Sequence, residues 1–106
     1  MARVLINLPR SAKRGELIEI RTLIQHGMET GYRPGPNGVT QQRDIIRSFT
    51  CLFDNEEVFH AELYQAIAAN PFITFSMLAT ASGILAFTWT GDNGFAQTET
   101  RALTVT

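Results

Sequence analysis

The sequence predicts an all-β protein, an antiparallel β-sandwich of about seven short strands. Most of the chain alternates apolar and polar residues with a period of two, which is typical of strands that bury one face. Clusters rich in Gly, Pro, Asn and Asp separate these stretches. The stretches recur roughly every 8–12 residues, the spacing expected of a sandwich.

The clearest element is a hairpin near the C-terminus. Within residues 84–90, Leu85, Phe87 and Trp89 fall on one face, and threonine and alanine occupy most of the other. Gly91-Asp-Asn-Gly94 then supplies residues that tolerate positive φ, and a second run continues to residue 106. Because a two-stranded hairpin is marginal in water, we expect the upstream chain to provide an opposing layer.

Five further strands are predicted upstream, over residues 3–8, 16–25, 44–54, 58–63 and 72–79. Residues 11–15 are predicted as a turn. The alanine-rich residues 64–70 are too short for a free-standing helix and are predicted as a single helical turn. The result is an immunoglobulin-like sandwich in one domain over residues 1–106. Its predicted core is Ile18, Ile20, Phe49, Cys51, Phe53, Phe75, Phe87 and Trp89.

Composition argues against several classes of protein. Nine basic and ten acidic residues give a net charge of −1, which offers no electrostatic attraction to nucleic acid or an anionic membrane. No stretch approaches the roughly 18 apolar residues of a membrane span. The N-terminal residues lack the apolar core of a signal peptide, which by itself predicts a cytoplasmic protein.

Cys51 is the single cysteine, so an internal disulfide is excluded. It shares a predicted strand face with Phe49 and Phe53, and we therefore expect a buried thiol of low reactivity. His60 alternates with Phe59 and Ala61 and is predicted to face solvent. No Gly-x-Ser-x-Gly motif or glycine-rich phosphate loop is present.

The side chains of His26, Met28, Cys51, His60 and Met77 include the ligand types of a copper site. In blue-copper proteins, however, such ligands cluster on one loop near the end of the chain, and here the final strands carry none of them. A small redox or metal-binding protein that uses Cys51, or His26, Met28 and His60, stays as the alternative function.

The periodicity disappears over residues 26–42. The segment from His26 to Arg33 places an imidazole, a thioether, a carboxylate and a guanidinium within eight residues. Long irregular connections are uncommon in small domains and are usually functional or disordered. Spacing alone does not distinguish a binding segment from a turn that holds a Glu–Arg pair.

Several segments resemble the SoxZ family. Residues 26–33 match its His-x-Met-Glu-Thr-Gly-x-Arg pattern, and residues 9–16 match its Pro-x-Ser-Ala-Lys-x-Gly-Glu pattern. The likeness continues through Ile-Ile-Arg-Ser-Phe-Thr-Cys at residues 45–51 and Phe-Thr-Trp-Thr-Gly-Asp at residues 87–92. It covers nearly the whole chain, although Gly27 stands where the family often has proline.

The resemblance implies a non-catalytic subunit of the SoxYZ sulfur carrier complex of thiosulfate oxidation. SoxY would carry the intermediates on a cysteine of its own flexible tail, whereas this chain ends in Arg-Ala-Leu-Thr-Val-Thr. The implied role is to scaffold SoxY, in a heterodimer or higher assembly, and to present it to other Sox enzymes. No cofactor is implied. The implied location is the periplasm, reached by export together with SoxY, and it replaces the cytoplasmic expectation.

We expect the partner to contact the irregular segment and outward aliphatic side chains of the strands. Several aliphatic residues fall on the outer face of predicted strands whose opposite face already fills the core: Leu23, Leu52, Leu78 and Ile46. An obligate interface would bury on the order of 2,000 Å² or more. The predicted contact residues of the segment are His26, Met28, Glu29, Thr30, Gly31 and Arg33.

Overall fold

The computed structural model describes residues 2–32, 34, 38–39, 41–64, 67 and 69–106. Two β-sheets pack face to face in an immunoglobulin-like sandwich, which confirms the predicted fold class. A short 3₁₀ turn, Asp92–Gly94, connects the last two strands. The strands are β1 (Val4–Asn7), β2 (Ser11–Ala12), β3 (Leu17–Ile24), β4 (Ile46–Phe53), β5 (Glu56–Glu62), β6 (Phe72–Leu78), β7 (Gly83–Gly91) and β8 (Ala96–Val105).

The strands divide into a three-stranded sheet of order β1-β3-β6 and a five-stranded sheet of order β2-β8-β7-β4-β5. Neighbouring strands are antiparallel, except that β2 runs parallel to β8. The sequence predicted only a turn over residues 11–15. The structure instead pairs Ser11 and Ala12 with the end of the chain before turning at Gly15, whose φ is +87°. Pairing with such a distant strand leaves no local pattern in the sequence.

The core lies between the sheets around Phe49. Its ring centroid lies 5.1 Å from that of Trp89, 6.3 Å from that of Phe87 and 6.1 Å from that of Phe75. Seven of the eight predicted core residues are buried. The exception is Phe53, which is only partly buried because it precedes the Asp54–Asn55 turn at the margin of the sandwich.

A bulge at the start of β4 overturns one prediction. The pairing with β7 shifts register between Ile46 and Ser48, so Ile45 and Ile46 are both buried although they are consecutive. Ile46 was expected to point outward, and that expectation is wrong because a bulge breaks the period of two. The two backbones come so close here that a Cβ on Gly91 would collide with the carbonyl oxygen of Ile45.

The helical turn predicted for residues 64–70 is not observed at the described positions of that stretch. Residues 64, 67, 69 and 70 are non-helical, although the amide of Ile67 donates a 3.0 Å hydrogen bond to the carbonyl of Tyr64. Within the described ranges, no helix has the length and apolar character needed to cross a membrane.

Candidate partner-binding surface

His26 is fixed where the chain leaves β3. Its amide donates to Oδ1 of Asn70 at 2.9 Å, and its carbonyl accepts from the amide of Asn70 at 2.7 Å. The imidazole is largely covered and meets the ring of Phe95 edge-on, with centroids 5.2 Å apart. Its Nε2 atom lies 3.9 Å from Oδ1 of Asp44. These contacts position the segment that follows.

Met28 points into the sandwich. It has a positive φ of 52° and is only 5% exposed. Its amide donates to Nδ1 of His26 at 3.0 Å, and its Sδ atom accepts from the amide of Ile46 at 3.3 Å. The thioether therefore serves as the hydrogen-bond acceptor for the Ile46 amide at the start of β4. In this structure Met28 anchors the segment and offers almost no surface to a partner.

The segment then runs beside the start of β4. Glu29 and Asp44 exchange backbone hydrogen bonds of 2.9 and 2.7 Å in an isolated antiparallel bridge. Gly31, with φ of +87°, leaves room for Arg43, because a Cβ there would lie 3.0 Å from the Arg43 Cβ. Glu29, Thr30 and Gly31 are partly buried and Gly27 is exposed. Arg33, the last predicted contact residue, lies outside the described residues.

A bidentate ion pair fixes the residues just before β4, which run beside this segment. Nε and an Nη atom of Arg43 donate to the two carboxylate oxygens of Asp92 at 2.8 and 2.9 Å. The amide of Ile45 also donates to this carboxylate at 3.2 Å. The Arg43 hydrogen bonds are the main reason that the pKa of Asp92 lies below its ordinary value.

An apolar row crosses the outer face of the three-stranded sheet beside this segment. The register places Leu5 opposite Leu23 and Leu23 opposite Phe72. Leu5 and Phe72 are each 61% exposed. The row borders an open depression of about 410 Å³. It lies close to the irregular segment, because the amide of Ile24 donates to the carbonyl of Pro71 at 3.2 Å.

The other predicted outward residues separate in the structure. Leu78 is exposed on the same face as the apolar row, beside exposed Leu17 at the far end of the sheet. Leu52 lies in the five-stranded sheet, and Ile46 is in the core. Sequence reasoning missed Leu5 and Phe72. Both have the outer parity of predicted strands, but the pairing that joins them to Leu23 is not visible in one sequence.

The residues of the alternative function occupy three separate places. Cys51 is fully buried on β4, between Phe59 and Phe87 on the neighbouring strands, and burial raises the pKa of its thiol from 9.0 to about 12. His60 is exposed on β5 and pairs with Thr50 and Glu62. His26 and Met28 lie at the end of β3. Among the residues that the structure describes, no three His, Cys, Asp or Glu side chains are placed to hold a metal ion.

The chain is therefore an immunoglobulin-like domain with an enclosed thiol and an uncovered apolar row. A family model described as "Sulphur oxidation protein SoxZ" matches residues 6–102, and the chain belongs to the SoxZ family. This confirms the resemblance seen in the sequence. No curated protein sequence matches the chain.

Solved structures share the fold at low sequence identity. A superoxide reductase (neelaredoxin) from Ignicoccus hospitalis superposes with a TM-score of 0.78 at 15% identity, covering 99% of this chain and 82% of the other. A putative superoxide reductase from Thermotoga maritima gives 0.69 at 18% identity, with coverages of 97% and 85%. The sulfur carrier protein SoxY from Chlorobium limicola f thiosulfatophilum gives 0.66 at 13% identity, with coverages of 97% and 78%. At these identities the likeness concerns the fold alone.

Proposed function

We propose that this chain is the non-catalytic subunit of a SoxYZ-type carrier complex. It binds a SoxY-like protein and holds it, while that protein carries thiosulfate-derived intermediates on its own cysteine. The observation that carries the proposal is the enclosure of Cys51 in a chain of a sulfur-oxidation family. A sulfur carrier needs a thiolate that is accessible to other enzymes, and the raised pKa and full burial of Cys51 oppose both requirements.

The proposed contact surface is the apolar row together with part of the irregular segment, namely the residues from Gly27 to Tyr32. Large exposed aliphatic and aromatic side chains in a row are typical of protein contacts, and aromatic anchors often dominate the binding energy. Phe72 and Tyr32 are the exposed aromatic side chains of this region. Glu29 and Thr30 would add polar contacts at the rim.

The proposal also states where the chain acts and which proteins it meets there. The chain acts in the periplasm after export with its SoxY-like partner, and other Sox enzymes meet it through the complex. The family resemblance supports both statements. Fractionation of cells that express the chain with and without the partner tests the first. The chain should reach the periplasmic fraction only when the partner is present, and equal export in both strains would contradict co-export.

Binding to a purified SoxY-like protein, followed by calorimetry, tests the contact surface. Phe72→Ser and Leu5→Ser should each weaken the affinity at least about tenfold, as expected for an anchor at the centre of an interface. Ile84→Ser is the matched control, because Ile84 is similarly exposed at 50% but lies on the five-stranded sheet. Thermal unfolding of each variant would show that its fold is retained.

Two results would contradict the proposed surface. Unchanged affinity in both apolar-row variants would remove the row from the interface. A loss confined to Ile84→Ser would instead move the interface to the five-stranded sheet. For the irregular segment, Glu29→Ala tests direct contact, since the buried Met28 can only act by positioning its neighbours.

A further inference from the structure

We propose that strand β6 pairs with β6 of a second copy of this chain. The two three-stranded sheets would then join into one six-stranded antiparallel sheet. This inference does not depend on SoxY binding, because it concerns pairing between two copies of this chain and is tested with the chain alone. Three features support it: an open backbone edge, the lack of protection along that edge, and a self-complementary order of side chains.

Strand β6 is the end strand of its sheet, and in the described part of the chain it pairs with β3 alone. Hydrogen bonds from Ala79 to Glu16 and from Ile24 to Pro71 mark the hydrogen-bonded pairs of this ladder. In an antiparallel ladder such pairs alternate with non-hydrogen-bonded ones. The N–H and C=O groups directed away from β3 therefore belong to Phe72, Thr74, Ser76 and Leu78.

This edge lacks the protection that other edges of the molecule have. Natural proteins block open edges with charges, with proline or by keeping the edge strand short. Strand β5, at the edge of the other sheet, carries Glu56, Glu57, His60 and Glu62. Strand β1 is protected by its length of only four residues. Strand β6 reads Phe-Ile-Thr-Phe-Ser-Met-Leu, seven residues without a charge or a proline.

The order of side chains on β6 is self-complementary. A two-fold axis at Phe75 places Phe72 opposite Leu78 of the second copy and Thr74 opposite its Ser76. All four of these residues direct their backbone groups to the open edge, so each of these pairs is hydrogen-bonded. The apolar row of Leu5, Leu23 and Phe72 would continue into Leu78 and Leu17 of the second copy.

The polar residues match in the same register. Within the sheet, Arg21 lies opposite Thr74 and Glu19 lies opposite Ser76. At the junction Thr74 of each copy faces Ser76 of the other, while Arg21 and Glu19 lie one strand further back and pair with each other within one chain at 2.6 Å. Apolar residues therefore face apolar ones and hydroxyl side chains face hydroxyl side chains, a match that an arbitrary edge sequence would not give. A second copy is thus the occupant that the side chains fit best.

The contact area between the two copies is small, and we therefore expect a weak dimer. A seven-residue edge spans about 24 Å. One strand pairing of this length stays below the roughly 1,200 Å² that separates weak complexes from standard ones. The dimer should therefore be concentration-dependent, with a dissociation constant in the micromolar range or above, on the order of 10 μM.

Sedimentation velocity over a series of concentrations of the chain alone tests the proposal. The wild type should pass from monomer to dimer. T74K/S76K places two ammonium groups opposite each other on both sides of the two-fold axis, at the centre of the junction, and should weaken dimerisation at least about tenfold. T74E/S76K is the matched control, because each introduced carboxylate then faces an introduced ammonium of the other copy. It should dimerise at least as well as the wild type.

Three results would overturn this inference: a wild-type chain that stays monomeric throughout the series, equal dissociation of both double variants, or loss of SoxY binding in T74K/S76K without any effect on self-association. The last would assign the edge to a strand of the partner. Circular dichroism and thermal unfolding of both variants show whether β6 still pairs with β3, which is expected since both substituted side chains point outward.

Discussion

The state of the Cys51 thiol offers a direct test of the proposed non-carrier role. Its side chain is fully buried and its pKa rises from 9.0 to about 12, because burial disfavours the charged thiolate. Only the thiolate attacks an electrophile. At about pH 8, the thiolate fraction of a group with a pKa of about 12 is about a thousandfold lower than that of one with a pKa of 9.0. Steric enclosure slows the reaction further.

The assay is the reaction of the thiol with a chromogenic disulfide reagent. The folded chain should react at least about a thousandfold more slowly than the chain unfolded in guanidinium, which has an ordinary cysteine pKa. Cys51→Ala gives the baseline, since no other cysteine is present. Reaction of the folded chain at the rate of the unfolded chain would refute the reasoning and favour a redox or carrier role.

The same shift predicts a pH dependence of stability. Because the folded state holds the thiol proton more tightly, its stabilising effect is complete below pH 9.0 and is lost as the pH rises towards about 12. Over that window the free energy of unfolding should fall by up to about 1.4 kcal/mol per pH unit from this group. Denaturant unfolding of wild type and Cys51→Ala should therefore converge at alkaline pH, and parallel pH profiles would contradict the assignment.

Three further predictions concern Trp89 in the core, Met28 in the irregular segment and the ion pair between Arg43 and Asp92. Trp89→Ala should cost about 3–5 kcal/mol in denaturant unfolding, and Trp89→Phe should cost less, because the buried indole N–H has no partner in the described part of the chain. Met28→Ala should cost about 2–4 kcal/mol, as it also leaves the Ile46 amide unpaired, while the isosteric Met28→Leu separates packing from that hydrogen bond. Asp92→Asn should remove a stabilisation that the wild type has above the ordinary carboxyl pKa of 3.8 and loses as the pH falls towards the lowered value, measured as Tm against pH. Identical acid profiles for the two chains would exclude a role for the Arg43 pair.

The fold could be predicted from the sequence because a strand with one buried face has a recognisable local pattern of residues. Alternation with a period of two appears wherever one face is buried, so the hairpin, the positions of the main strands and most of the core follow from a few residues at a time. The burial of Cys51 follows in the same way, since Phe49 and Phe87 share its side of the sheet. Where the local rule is broken by a bulge, as at Ile46, the prediction is wrong.

The candidate surface depended on contacts between distant parts of the chain. Met28 belongs to the most recognisable motif of the sequence, yet its side chain is buried. Its sulfur atom accepts a hydrogen bond from the amide of Ile46, which is distant in the sequence. Leu5, Leu23 and Phe72 form one row only because β1 and β6 flank β3.

Thus the amino-acid pattern by itself determined which residues form strands and which face of each strand is buried. Strand order, register and the identity of the open edge were decided by the tertiary structure. The physical reason is that side-chain alternation reports burial, which is a local property. Strand pairing depends on backbone hydrogen bonds between segments that are far apart in the sequence, such as the bond from the amide of Thr106 to the carbonyl of Ala12, and almost any residue can form them.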